Sequence, residues 1–131
     1  YIAHLITAIP GSSEFFQGSV VAYSYEVKKN VLHVQEKTLE HFGAVSEEVV
    51  REMVSGTLQI MKTDFALAVS GIMGPGGGTQ EKPVGTVWIA AGNVQKIVAT
   101  PIHARFDRER NIHVTAMQAL NFLRMFILEK I

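Results

Sequence analysis

The densest run of residues able to do chemistry is Ser70-Gly71-Ile72-Met73-Gly74-Pro75-Gly76-Gly77-Gly78-Thr79. It holds five of the chain's eleven glycines and follows the apolar run Phe65-Ala66-Leu67-Ala68-Val69. A buried strand ending in residues without a Cβ gives a ligand close access to main-chain N–H groups. Phosphates and developing oxyanions are held in this way. The connection then passes Glu81-Lys82-Pro83-Val84-Gly85-Thr86 into a second apolar run, Val87-Trp88-Ile89-Ala90. Connections between elements are usually about 4–6 residues, so this longer, charged one reads as a functional loop. It lacks the Lys-Ser/Thr ending of a P-loop, and no helical pattern follows it as in a dinucleotide fold. The glycines alone therefore specify an anion or a small polar ligand.

Lys28 lies five residues after Tyr23 and three after Tyr25, where a strand pattern turns into a helical one. Ligands bind at strand ends in open α/β sheets, and a desolvated lysine there can serve as a general base. A solvated helix lysine fits the spacing as well, and Lys29 competes for the role. Ser12-Ser13, after Pro10-Gly11, suits a helix cap or a ligand contact. Asp107-Arg108-Glu109-Arg110 opens a helix as a charged cluster, from which an arginine could pair bidentately with phosphate or carboxylate. The five histidines show no metal-ligand spacing, and Trp88 reads as a core residue.

Those residues are positioned by a chain of 131 residues, one domain's worth, with 47% hydrophobic and 18% charged residues. Twelve basic against twelve acidic side chains leave no electrostatic footprint for nucleic acid. There is no cysteine for a disulfide or a thiolate site. No apolar run approaches the roughly 20 residues of a membrane span, and the start has no signal-peptide pattern. Tyr1 opens inside an apolar periodic segment, which predicts that residues precede it.

Ile2, Leu5, Ile6 and Ile9 have helical spacing, stopped by Pro10-Gly11. Residues 18–23 read as a short buried strand and 24–34 as a helix with Val27, Val31 and Leu32 inward. Thr38 to Phe42 is a short helical piece closed by Gly43. Ser46 caps a helix whose stripe is Val50, Met53, Val54, Thr57, Leu58 and Met61. Strands at 65–69, 84–91 and 94–102 follow, the last two as a hairpin about Gly92-Asn93, with Pro101 marking an edge or a bulge. Asp107 or Asn111 caps the final helix, whose inward face is Ile112, Ala116, Ala119, Leu120, Leu123 and Ile127. The fold class is α/β: a three-layer α/β/α sandwich with a mixed, mostly parallel sheet containing one hairpin.

The chain resembles the C-terminal domain of the competence/damage-inducible protein CinA, the nicotinamide mononucleotide (NMN) deamidase family. The resemblance runs through nearly all of residues 1–131. It rests on Pro10-Gly11-Ser12-Ser13, on Gly18 with Val20-Val21-Ala22-Tyr23-Ser24 and Lys28, and on His41-Phe42-Gly43-Ala44-Val45-Ser46-Glu47. It continues through Ser70-Gly71-Ile72, Gly74-Pro75, Gly77-Gly78-Thr79 and Lys82-Pro83-Val84-Gly85-Thr86-Val87. It implies hydrolysis of the carboxamide of NMN to nicotinate mononucleotide and ammonia, with no cofactor and no metal. It also implies a cytoplasmic protein that self-associates as a homodimer or higher oligomer, in some members fused to an N-terminal domain. The family's nucleophilic serine lies in a Glu-Ser-Cys-Thr-Gly-Gly segment expected immediately before Tyr1, after a helix and a strand, and these are absent from the sequence. By position, Lys28 would be the base that activates that serine, with Tyr23 beside it. Ser13, Ser70, Gly71, Gly74, Gly77 and Gly78 would line the pocket, and Arg108 would bind the substrate's acidic or polar end. Relatives often carry further arginines one turn on, where this chain has Ile112 and His113. A non-catalytic nucleotide-binding module and a structural oligomerisation domain are the competing readings.

Overall fold

Short polar side chains start the helices. Ser24 accepts from the Val27 amide (3.2 Å), Ser46 from Val49 (3.4 Å) and Asp107 from Arg110 (3.0 Å), each satisfying a donor that the first turn leaves free. They begin α2 (Tyr25–Asn30), α4 (Glu47–Met61) and α5 (Arg108–Ile127) in a computed structural model that describes all of residues 1–131. The chain opens with α1 (Ile2–Thr7) and a 3-10 turn at Ser12–Glu14, and α3 (Glu36–Phe42) ends at Gly43, where φ is 73°. Glu52 of α4 caps α3 from outside, accepting from the Gln35 amide and the Thr38 hydroxyl, both at 2.7 Å.

Three strands form one sheet in the order β1 (Ala66–Gly71), β2 (Thr86–Gly92), β3 (Ile97–His103). Ala66 faces Gly92 and Gly71 faces Val87 across the first pair; Thr86 faces His103 across the second. Side chains alternate between the two faces. Ala66, Ala68 and Ala90 pack with Val50, Met53 and Val54 of α4, while Val87 and Ile89 pack with Ala119 of α5. Opposite faces are thus covered by different helices, which makes three layers. The α/β class and the layering agree with the sequence, and Pro101 sits on the edge strand.

The strand directions are a correction. Both pairings are antiparallel, not mostly parallel. The glycine connection between β1 and β2 contains no crossover helix and returns the chain antiparallel. The strand expected at 18–23 is not one either. Val20 and Ala22 pack on the core and Val21 and Tyr23 are 81% and 84% exposed, so the period of two is real. A strand, however, also needs a hydrogen-bonded ladder, and the only main-chain bond inside the segment is Tyr23 N–H to the Val21 carbonyl. On α5 the buried face is Asn111, Thr115, Ala116, Ala119 and Phe126, with Ile127 46% exposed. Two of that stripe's members, Asn111 and Thr115, are polar, so apolar spacing alone does not mark them.

Candidate active site

The glycine loop is closed at its base by Ile72 N–H to Thr86 O (2.9 Å) and Gly85 N–H to Ile72 O (2.7 Å). Two side chains of α5 hold its first shoulder, and Ser70 of β1 and Lys82 of the connection itself tie it to the end of α3 and the turn that follows. Arg108 Nη1 donates to the Gly74 carbonyl (2.8 Å), and Asn111 Nδ2, one turn along α5, donates to the Met73 carbonyl (3.0 Å). Lys82 Nζ donates to the carbonyl of Phe42 at the end of α3 (2.5 Å), and Ser70 Oγ to the carbonyl of Ala44 (2.7 Å). A β-carbon on Gly78 would meet the Val84 amide nitrogen at 2.6 Å, so the loop's return path permits no side chain there. Between these anchors Gly76, Gly77 and Gly78 are exposed, and their amides donate to nothing within the chain. Three unspent donors on a braced loop suit an anionic or developing-oxyanion ligand.

Lys28 and Lys29 have opposite environments. Lys29 is paired with Glu26 (2.8 Å) and Glu36 (3.0 Å), and hydrogen bonding to Glu26 holds its ammonium above the ordinary lysine range. Lys28, for which the sequence left a desolvated and a solvated position open, is 6% exposed and donates only to the Ala22 carbonyl (2.5 Å). It has no carboxylate partner, and burial pushes its pKa down. That is how a lysine becomes available as a base.

Ser70, Gly71, Gly74, Gly77 and Gly78 thus lie on one stretch from the end of β1 into the loop, and Arg108 is hydrogen-bonded to it at Gly74. Lys28 is anchored to the 18–23 segment, with no hydrogen bond to that stretch. Tyr23 lies on the surface at 84% exposure, and Ser13 is exposed while its neighbour Ser12 is buried. Neither Tyr23 nor Ser13 has a side-chain hydrogen bond to the loop. A separate open depression of about 560 Å³ lies at the start of α5, lined by Tyr1, Asp107, Glu109, Arg110, Ile112 and His113. The Tyr1 hydroxyl meets His113 Nδ1 there at 2.8 Å. The sequence offers Asn111 as a helix cap. Its true signal was a polar residue in phase with Thr115 and Ala119, on the face that meets the sheet.

The fold and site define an α/β/α domain built around a braced glycine loop with free amides beside an arginine. This chain belongs to the CinA C-terminal domain family, whose profile it matches over residues 1–127. It is 43% identical over 124 residues to a CinA-like protein of Cytophaga hutchinsonii and 44% over 128 residues to one of Thermotoga maritima. Those alignments cover 95% and 96% of this chain but 30% and 31% of the relatives' length. Among solved structures, the competence damage-inducible protein A of Klebsiella pneumoniae superposes with a TM-score of 0.90 at 37% identity. That match covers 93% of this chain and 76% of the other. A CinA superfamily protein of Escherichia coli gives 0.91 at 29% identity, covering 95% and 73%. No helix is long and apolar enough to cross a membrane.

Proposed function

We propose that this domain carries the base and the anion-binding loop of a nicotinamide-nucleotide amidohydrolase. NMN and water are converted to nicotinate mononucleotide and ammonia by a serine–lysine mechanism. The observation that carries the reading is Lys28: a buried ammonium with no counter-ion, its pKa lowered by desolvation. Neutral Lys28 takes the proton of the nucleophilic serine as its oxygen attacks the carboxamide carbon. The carbonyl electrons move to oxygen, and glycine-loop amides stabilise that charge. Collapse expels the amine, which leaves as ammonia after taking the proton from Lys28. Water, deprotonated by the same lysine, cleaves the acyl-serine and releases the carboxylate. Arg108 spends Nη1 on Gly74, leaving its remaining N–H groups for the substrate's anionic end. No cofactor enters the reaction.

The serine expected from the resemblance has no counterpart among these 131 residues, so the test uses the full-length protein. Ammonia release from NMN, followed by a coupled assay, should be linear with enzyme and abolished by Lys28→Ala. Calorimetric binding of NMN without any ammonia would overturn the reading in favour of a binding module.

A further inference from the structure

Asn111 is the only fully buried polar side chain of α5, at 0% exposure, and both ends of its amide are used. Its Oδ1 accepts from the Phe106 amide (3.0 Å), which fixes the chain entering α5. Its Nδ2 donates to the Met73 carbonyl (3.0 Å), at the first shoulder of the glycine loop. Three residues earlier, Arg108 takes the next carbonyl, that of Gly74. Two successive loop carbonyls are therefore turned towards one helix.

That has a consequence for the peptide unit between Met73 and Gly74. The unit is trans, since the only cis bond is Gly74–Pro75. In a planar trans peptide the N–H points opposite to the C=O. With the Met73 carbonyl held on α5, the Gly74 N–H is directed away from α5, and it has no acceptor within the chain. Gly74 itself is buried, at φ 83°, and a β-carbon there would meet Val84 at 2.6 Å. A buried amide normally finds a partner. An orphan donor of fixed direction, beside the free amides of Gly76 to Gly78, is a place for an external acceptor.

Resting on the amidohydrolase reading, we infer that Asn111 is a positioning residue: it locks the Met73–Gly74 peptide so that the Gly74 N–H joins the donors for the reaction's oxyanion. A donor aimed at charge that exists only in the transition state acts on kcat and not on substrate affinity. Misdirecting such a group by an ångström costs on the order of 10²-fold in rate.

The test uses the full-length protein, Asn111→Ala and Asn111→Asp. The aspartate keeps the acceptor for Phe106 and, when ionised, turns a charged oxygen towards Met73 in place of the donor. Both variants should lower kcat for NMN by roughly 10²-fold with KM within about twofold. The deficit of Asn111→Asp relative to wild type should shrink as pH falls, because a protonated carboxyl can donate to Met73 again. If the alanine variant does not fold, the aspartate variant decides; if neither folds, Asn111 is a scaffold residue and the proposal falls. A rise in KM at unchanged kcat, or no change in either, also overturns it. A second readout is independent of turnover: the ¹⁵N resonance of Gly74 should move on Asn111→Asp, because the carbonyl of its own peptide unit loses a donor. An unmoved Gly74 resonance rejects the positioning role. Wild-type protein that leaves NMN intact while Gly74 responds to the substitution rejects the amidohydrolase reading instead.

Discussion

Replacing Lys28 by methionine should cut turnover steeply while leaving stability nearly unchanged, an unusual pairing for a buried residue. The ammonium is 6% exposed and bound to one carbonyl. An effective desolvation penalty of several kcal/mol per buried ion is offset by a charged hydrogen bond of about 1.5–3 kcal/mol. Methionine removes the charge, retains the unbranched stem and leaves the Ala22 carbonyl short of a donor, at about 1–3 kcal/mol. These terms oppose one another, so the net change at neutral pH should be smaller than either alone. The pH dependence is the sharper readout. Burial holds Lys28 below the ordinary lysine value of 10.5. Between the lowered value and 10.5 the unfolded chain binds more protons at this site than the folded one, so wild-type stability gains with rising pH. The penalty is present in full below the folded pKa and gone above the unfolded one. Lys28→Met lacks this gain, so wild type minus variant, measured by urea unfolding of the full-length protein, should rise through that window. Activity should fall by roughly 10²–10⁴-fold, the scale for an acid–base group. Retained activity together with parallel stability curves would refute the reasoning.

Arg108→Ala should raise KM for NMN by roughly ten- to hundredfold, the effect of losing a charged hydrogen bond of about 1.5–3 kcal/mol, and Arg108→Lys should recover little because the planar fork is lost; steady-state kinetics checks both. Gly56→Ala should destabilise although alanine is favoured over glycine in a helix by about 1 kcal/mol, since the new β-carbon would lie 1.9 Å from the Leu32 carbonyl oxygen. Thermal unfolding reads the sign, and a higher Tm would contradict the packing of α4 on that carbonyl. Glu52→Ala should cost about 0.5–2 kcal/mol, as losing a helix cap does, because α3 loses the acceptor for Gln35 and Thr38; urea unfolding measures it.

Where local chemistry decides, the sequence was legible. Ser46 and Asp107 are caps because their oxygens reach main-chain donors within the same turn, and Gly43 ends α3 because it adopts a positive φ. The glycine loop was legible as a loop, since a strand that runs into five glycines cannot continue as a strand. What failed depends on partners remote in sequence. The alternation at 18–23 reports which side faces the core and is silent on whether a neighbouring strand exists. Helical spacing left a buried and a solvated position open for Lys28, and the Ala22 carbonyl and the surrounding packing, which enclose it, decide between them. Arg108 was placed at a helix start, but the carbonyl it holds lies 34 positions away. Asn111 was hidden for the same reason: its second partner, Met73, is 38 positions away.

The central claim is amide hydrolysis at the nicotinamide carboxamide. Its most direct test is mass spectrometry of NMN incubated with the full-length protein in H₂¹⁸O. The account predicts nicotinate mononucleotide carrying one ¹⁸O in its new carboxylate and one equivalent of ammonia, with both forming roughly 10²–10⁴-fold more slowly for Lys28→Met. Release of free nicotinamide, or recovery of unlabelled, intact NMN from folded protein, would contradict it.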